Sequence, residues 1–166
     1  MRAYNVRNIG LIVLGITAVL ELGLILFDRQ SWDIEAAQTS PDDLRCLALT
    51  VYWEARAGGR EAMEAVAWVV LNRRKNPDFP DTICKVVREG GENPPCQFSY
   101  WCDGEPDTPK NHDVWKLARE VAAQMLENPP SDPTGGALFF HSVELASPWT
   151  KERKRTVEIG RHIFYR

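Results

Sequence analysis

The sequence predicts an α+β domain that is mostly helical, with a small antiparallel sheet near its C-terminus and a single transmembrane helix at its N-terminus. Three patterns lead to this prediction. Residues 9–27 are almost entirely apolar, apolar residues recur at helical spacing in several segments between residues 41 and 125, and short apolar runs interrupted by Gly160 end the chain. A chain of 166 residues has room for one compact domain and a short appendage.

The composition excludes several classes of protein. Hydrophobic residues make up 44% of the chain and charged residues 26%, which is unlike disordered, collagen-like or coiled-coil sequences. The net charge of −3 argues against non-specific nucleic-acid binding, because phosphate binding requires clustered cations. We therefore expect no nucleic-acid partner, and we expect the protein to be a monomer.

The apolar run Ile9–Phe27 predicts a membrane anchor. It contains one charged residue, Glu21, and as a helix it spans about 28 Å, close to the thickness of a bilayer core. Arg2 and Arg7 precede it, so the positive-inside rule places the N-terminus in the cytoplasm and the rest of the chain in the periplasm. We therefore assign residues 1–28 to an anchor in the inner membrane. A cleaved signal peptide and a buried core helix are the alternatives.

A polar linker over residues 29–40 leads into the folded domain, residues 41–166. Ser40 is a candidate N-cap with Pro41 at the first helical position, and Gly58-Gly59 predicts the end of that first helix. A second helix is expected to end before Pro77, and a short third one to run from Pro80 to Val87.

The second half of the domain is predicted to pass from helix to sheet. The segment Cys96–Cys102 is short and aromatic, and we expect it to be extended. Asn111 is expected to cap a longer helix. The apolar runs Ala137–Val143 and Thr156–Tyr165 predict strands, and Gly160 marks a turn or bulge in the second of them.

The four cysteines predict two disulfide bonds. An even number in an exported domain allows three pairings, and a bond between Cys96 and Cys102 would leave Cys46 and Cys84 to join two helical segments. A zinc site is the alternative, but the chain has no C-x-x-C motif and its three histidines lack ligand spacing. A thiol nucleophile is a further alternative, which an oxidising compartment disfavours.

Glu54 is the acid that stands out in the sequence. It lies seven residues after Leu47 and three after Val51, so on a helix it projects beside the apolar stripe. Burial penalises the ionised carboxylate and raises its pKa, which suits a general acid at neutral pH. The alternative is a structural glutamate paired with Arg56 or with a backbone amide.

A series of motifs then resembles the SleB-type cell-wall hydrolases, the family of the spore-cortex-lytic enzymes. The motifs are CLALTVYWEAR at 46–56, AVAWVVLNR at 65–73, FPDTI at 79–83, CQFS at 96–99, CDG at 102–104, DPTGGA at 132–137, FH at 140–141, PW at 148–149 and IGRHIFYR at 159–166. The resemblance spans residues 42–166. The family commonly continues Glu-Ala-Arg with Gly-Glu, whereas this chain reads Ala57-Gly58, and a Gly-Gln pair seen further on is Ala62-Met63 here.

The resemblance implies cleavage of peptidoglycan between N-acetylmuramic acid and N-acetylglucosamine, by a lysozyme-like helical domain similar to lytic transglycosylases. The family's catalytic glutamate corresponds to Glu54. One carboxyl group suffices for a lytic transglycosylase, which forms a 1,6-anhydro product and requires no metal or cofactor. A hydrolytic muramidase assisted by Asp103, a non-catalytic peptidoglycan-binding module and a membrane-anchored structural protein are the alternatives.

The other matched residues are candidates for the wall of a substrate cleft. Gln97 and Ser99 offer hydrogen bonds to N-acetyl or hydroxyl groups, and aromatic rings can stack on sugar faces. Structural roles are the alternatives: a turn closed by a disulfide, a core histidine, a helix cap, or a pair with an acid. The candidate substrate-binding residues are Tyr52, Arg56, Asn72, Gln97, Phe98, Ser99, His141 and Trp149.

Overall fold

The structure is a computed structural model that describes residues 40–93, 96–145 and 148–166. The predicted anchor, residues 1–28, and all but the last residue of the predicted linker lie outside the described residues. Among the helices in the described ranges, none combines the length and hydropathy needed to cross a bilayer.

Two long helices open the domain. Helix α1 spans Pro41–Ala55, and the Ser40 hydroxyl accepts a hydrogen bond from the Asp42 amide at 3.2 Å, which confirms the predicted N-cap. A 3₁₀ turn, Arg56–Gly58, separates α1 from helix α2, Gly59–Lys75. A Cβ on Gly58 would lie 2.4 Å from the Cβ of Ala62, so the close approach of the turn to α2 requires glycine there.

In the next two segments the structure differs from the predictions. Helix α3 spans Ile83–Val87 rather than starting at Pro80, because the Thr82 hydroxyl caps it by accepting a hydrogen bond from the Lys85 amide. The segment predicted to be extended contains a 3₁₀ turn, Ser99–Trp101. The Cys96–Cys102 disulfide holds its ends at a Cα–Cα distance of 6.2 Å, whereas an extended segment of that length would span roughly 20 Å.

Helix α4, His112–Glu127, completes the helical layer. Its predicted cap is confirmed, because Asn111 Oδ1 accepts hydrogen bonds from the amides of Asp113 and Val114, each at 3.1 Å. Helices α1, α2 and α4 pack around one buried apolar cluster. Its largest fully buried members include Leu47, Val51, Met63, Val66, Leu71 and Met125.

A small antiparallel sheet follows, as predicted, and it has three strands. Strands β1 (Phe139–Ser142), β2 (Arg155–Ile159) and β3 (His162–Tyr165) lie in the order β1-β3-β2, and a 3₁₀ turn, Pro148–Glu152, precedes β2. Gly160, with a φ of 58°, lies in the turn that divides the second predicted run into two strands. Phe164 and Ile159 pack against Ala65 and Val69 of α2, which fixes the sheet to the helical layer.

Both predicted disulfides are present. Cys46 of α1 is bonded to Cys84 of α3, and Cys96 is bonded to Cys102. Because no cysteine is free, the zinc site and the thiol nucleophile are excluded as roles for these residues.

Candidate active site

Glu54 lies in the last turn of α1 and faces a cleft of about 550 Å³ between the helical layer and the sheet. Its side chain is partly buried, and Oε1 is enclosed without a hydrogen-bond partner. No ion pair joins it to Arg56, so that part of the structural alternative is absent between these two described residues. The other part, a hydrogen bond with a backbone amide, is present, and the donor is Ser99. The described residues that line the cleft are Glu54, Arg73, Cys96, Gln97, Ser99, Phe140, His141, Ser142, Leu145, Trp149 and His162.

The surroundings of Glu54 shift the pKa of its carboxyl group into a range that suits proton transfer. Burial raises the pKa of its carboxyl group to about 7, and a hydrogen bond from the backbone amide of Ser99 opposes this rise. At neutral pH the group therefore populates both protonation states. A carboxyl group of this kind can donate a proton in one step and accept one in the next.

The raised pKa has a consequence for stability that can be measured. The carboxyl has a pKa of about 7 in the folded protein and 4.5 as its ordinary value, so folding favours the protonated form. Its favourable contribution is complete below about pH 4.5, declines as the pH rises, and is lost above about pH 7.

Glu54→Gln, which is neutral at every pH, is therefore expected to match the wild type near about pH 4 and to exceed it in unfolding free energy at about pH 8, by on the order of 1–3 kcal/mol. Thermal or urea unfolding at both pH values provides the measurement. An equal difference at the two pH values would show that the pKa of Glu54 is not raised.

The segment between Cys96 and Cys102 forms one wall of the cleft. Gln97 and Ser99 are exposed and line the cleft on either side of Phe98, which is only 1% exposed and packs against Phe140. The disulfide thus closes a turn that presents the side chains of Gln97 and Ser99 to the cleft. The buried ring of Phe98 holds this turn against the core. Phe98 lies in the core beneath the cleft and is not among its described lining residues.

Strand β1 and the 3₁₀ turn after it form the opposite wall. His141 Nδ1 donates to the carbonyl oxygen of Ser142 at 2.7 Å, which leaves Nε2 to accept from the Tyr165 hydroxyl at 3.0 Å. The imidazole stacks on the Tyr165 ring and meets Trp149 edge-on, with ring centroids 5.4 and 5.6 Å apart. Both ring nitrogens of His141 are thus engaged, and His141 and Trp149 form a fixed aromatic surface in the cleft.

Several known proteins resemble this domain. The Cell Wall Hydrolase family matches residues 58–165. This chain belongs to the cell wall hydrolase family. The match includes every described cleft residue except Glu54, which lies just before it. The resemblance seen in the sequence motifs is therefore confirmed.

The relatives of this cell wall hydrolase include spore cortex-lytic enzymes. That of Bacillus subtilis (strain 168) is 35% identical over 126 residues, which cover 75% of this chain and 38% of the relative. That of Halalkalibacterium halodurans is 34% identical over 130 residues, covering 75% of this chain and 35% of the relative. The chain thus spans less than half the length of these relatives.

Two solved structures share the fold. One is the catalytic domain of the germination-specific lytic transglycosylase SleB from Bacillus anthracis, with a TM-score of 0.60 and 31% identity over 77% of this chain and 97% of that one. The other is the catalytic domain of the Bacillus cereus SleB protein, with a TM-score of 0.60 and 31% identity over 78% of this chain and 93% of that one. The similarity covers nearly the whole of each catalytic domain.

The described cleft residues of this cell wall hydrolase that were not predicted from the sequence include two with ionisable side chains, His162 and Arg73. The imidazole of His162 lies beside Glu54, and Nδ1 is enclosed without a partner. Burial lowers the pKa of His162, and a hydrogen bond with the Glu54 backbone carbonyl opposes the shift. His162 pairs with Ser142 in the β1–β3 register, so only the sheet pairing brings it to Glu54.

Arg73 is the second such residue, and it lies almost wholly beneath the cleft. It is 4% exposed, its Nε donates to the Leu138 carbonyl at 2.7 Å, and its guanidinium lies 5.4 Å from the centre of the Phe98 ring. Burial lowers the pKa of Arg73 to about 10, and the charge of Glu89 opposes this shift. The side chain thus remains a cation at neutral pH. Its place on the buried face of α2, four residues after Val69, was the available signal in the sequence.

Tyr52 and Asn72 have structural contacts away from the cleft of this hydrolase. Tyr52 is 1% exposed, and its hydroxyl accepts hydrogen bonds from the backbone amides just before α4. Asn72 Nδ2 donates to Asp132 Oδ2 at 3.0 Å and to the Ala137 carbonyl at 3.2 Å, which fixes the loop before β1. Neither is among the described residues that line the cleft.

Arg56 and Asp103 also lie apart from the cleft. The guanidinium of Arg56 is exposed and lies 5.0 Å from the centre of the Trp53 ring. Asp103 lines a separate pocket beside Trp53 and Tyr100. Glu54 is therefore the one carboxylic acid among the described residues that line the cleft.

Proposed function

We propose that this domain cleaves the glycan strand of peptidoglycan between N-acetylmuramic acid and N-acetylglucosamine as a lytic transglycosylase. One observation carries the proposal: a partly buried glutamate with a pKa of about 7 is the sole carboxylic acid among the described residues of the cleft. A helix-borne glutamate facing a small antiparallel sheet across the cleft also supports a lysozyme-like arrangement. The solved structure from Bacillus anthracis is described as a lytic transglycosylase, which supports the same chemistry.

Glu54 would perform both proton transfers. In its protonated form it donates a proton to the glycosidic oxygen, and the bond to C1 of N-acetylmuramic acid breaks with oxocarbenium character. The resulting carboxylate, stabilised by the Ser99 amide, then removes the proton of the C6 hydroxyl of the same sugar. The C6 oxygen closes on C1, which yields the 1,6-anhydro product, consumes no water and returns Glu54 to its protonated form.

The walls of the cleft supply groups that suit a sugar substrate. Gln97 and Ser99 are placed to hydrogen-bond N-acetyl and hydroxyl groups, while the His141–Trp149 surface offers a flat apolar face. Phe98 contributes from below by fixing the turn that carries the two polar residues. These contacts would hold the glycosidic oxygen near the Glu54 carboxyl.

Hydrolysis is less well supported than transglycosylation. An inverting or retaining hydrolase needs a second carboxylate across the scissile bond, and Asp103, the candidate for that role, lines a different pocket. A binding module without activity would have no need of a partly buried acid with a raised pKa.

Product analysis tests the proposed chemistry. Purified peptidoglycan incubated with the full-length protein is expected to release muropeptides with 1,6-anhydro ends, identified by mass spectrometry as products about 18 Da lighter than the hydrolytic ones, because no water is consumed. Glu54→Gln protein is the matched control and is expected to release neither. Reducing N-acetylmuramic acid ends from the wild type would contradict transglycosylation and indicate a second catalytic group.

A further inference from the structure

A second groove continues from the active-site cleft. It has a volume of about 600 Å³, comparable with the cleft, and the two share His141 and Leu145 in their walls. We call it the lateral groove. Its walls include His141, Val143, Glu144, Leu145, Lys151 and Tyr165.

The lateral groove presents aliphatic side chains to solvent. The large hydrophobic residues that the described part of the chain leaves exposed are Val143, at 42%, and Leu145, at 64%, and both line this groove. The two side chains give this concave site an apolar contact surface.

Backbone hydrogen bonds fix the segment that carries these aliphatic side chains. The Val143 amide donates to the Arg161 carbonyl at 2.9 Å, which extends the β1–β3 pairing by one residue. The Leu145 amide donates to the Ser142 carbonyl at 3.0 Å and closes a turn directly after β1. Their exposure is thus a property of an ordered turn, and it offers a preformed apolar contact at a low entropic cost of binding.

The groove also carries a positive charge. Its acid, Glu144, forms an ion pair with Arg161, so the ammonium group of Lys151 is left without an acid among the described groove residues. The two arginines of the basic run 151–155 make contacts outside the groove. The Arg153 guanidinium lies 3.9 Å from the centre of the Phe139 ring, and Arg155 forms an ion pair with Glu158.

We propose that the lateral groove binds the stem peptide of a muramic acid residue held in the active-site cleft. This inference rests on the proposed function, because it places the peptide substituent of the same substrate. A stem peptide combines carboxylates, which complement Lys151, with alanine side chains, which complement Val143 and Leu145. The wall shared with the cleft lets one ligand occupy both sites.

Two substrates test the proposal: glycan strands that carry stem peptides, and the same strands stripped of peptides by an amidase. For the wild type, kcat/KM is expected to be roughly tenfold higher on the peptide-bearing strands, the combined effect of one exposed ion pair and two aliphatic contacts. Lys151→Glu and Val143→Ser are expected to reduce this ratio towards one through KM, and Lys151→Arg to retain it. Lys154→Glu, the same charge change at a residue that is not among the described groove residues, is the control and is expected to keep the ratio.

The outcomes separate the two proposals. A wild-type ratio near one, or a ratio that Lys151→Glu and Val143→Ser leave unchanged, would overturn the role of the groove while the proposed function stands. A wild-type protein that cleaves neither glycan would instead overturn the proposed function, and the groove's role with it. Because Val143 and Lys151 are surface residues, these variants are expected to fold, and their melting temperatures check this.

Discussion

Glu54→Gln is expected to abolish wall lysis and to leave the fold intact. Glutamine keeps the shape of glutamate but cannot donate the proton that departure of the leaving group requires. General acid–base catalysis contributes about 10²–10⁴-fold, and a residue that serves both steps belongs at or above the top of this range. Release of dye from labelled cell wall measures the activity, and circular dichroism measures the fold.

Asp103→Asn provides the matched control for Glu54→Gln. It also removes a carboxylate, but at a residue that lines a different pocket, so near wild-type activity is expected. A folded Glu54→Gln protein that still clears the wall at the wild-type rate would contradict the assignment of Glu54. Loss of activity in Asp103→Asn with normal stability would favour the hydrolytic mechanism.

Removal of the Cys46–Cys84 disulfide is expected to cause the largest loss of stability. The bond joins α1 to α3 across a sequence separation of 38 residues. In the loop-entropy model such a cross-link stabilises the folded state by about 4 kcal/mol, because it limits the conformations of the unfolded chain. Denaturant unfolding of the Cys46→Ala, Cys84→Ala double variant measures the difference.

The second disulfide gives the internal comparison. Cys96 and Cys102 are separated by 6 residues, so their replacement by alanine is expected to cost only about 2 kcal/mol. Replacement of Cys96 and Cys102 is expected to impair activity more than replacement of Cys46 and Cys84, because the Cys96–Cys102 bond closes the turn that presents Gln97 and Ser99 to the cleft. Equal losses of stability from the two double variants would contradict the loop-entropy account.

Local sequence patterns predicted most of the elements. Ser40 and Asn111 cap their helices as expected, because capping involves residues only two or three positions apart. The strands were expected from the two apolar runs, and a turn or bulge was expected at Gly160 within the second run. The exceptions were α3 and the turn within Cys96–Cys102, where a threonine cap and a disulfide determine the backbone.

The candidate site was predicted less completely than the fold. Gln97, Ser99, His141 and Trp149 do line the cleft with Glu54. Tyr52 and Asn72 hold neighbouring loops, Arg56 stacks on Trp53, and Phe98 lies in the core. Membership of a matched motif therefore did not distinguish residues that contact a substrate from those that support the cleft.

By itself the sequence determined the helical character of the domain, the order of helices before sheet, and the partial burial of Glu54, since each follows from spacing within a few turns of chain. Only the tertiary structure decided what surrounds Glu54. Ser99 comes from a turn drawn together by a disulfide, and His162 from a strand that pairs with β1. These residues lie far from Glu54 in sequence, and they meet it because the packing of the sheet on α2 and the closure of the Cys96–Cys102 turn bring distant backbone segments together.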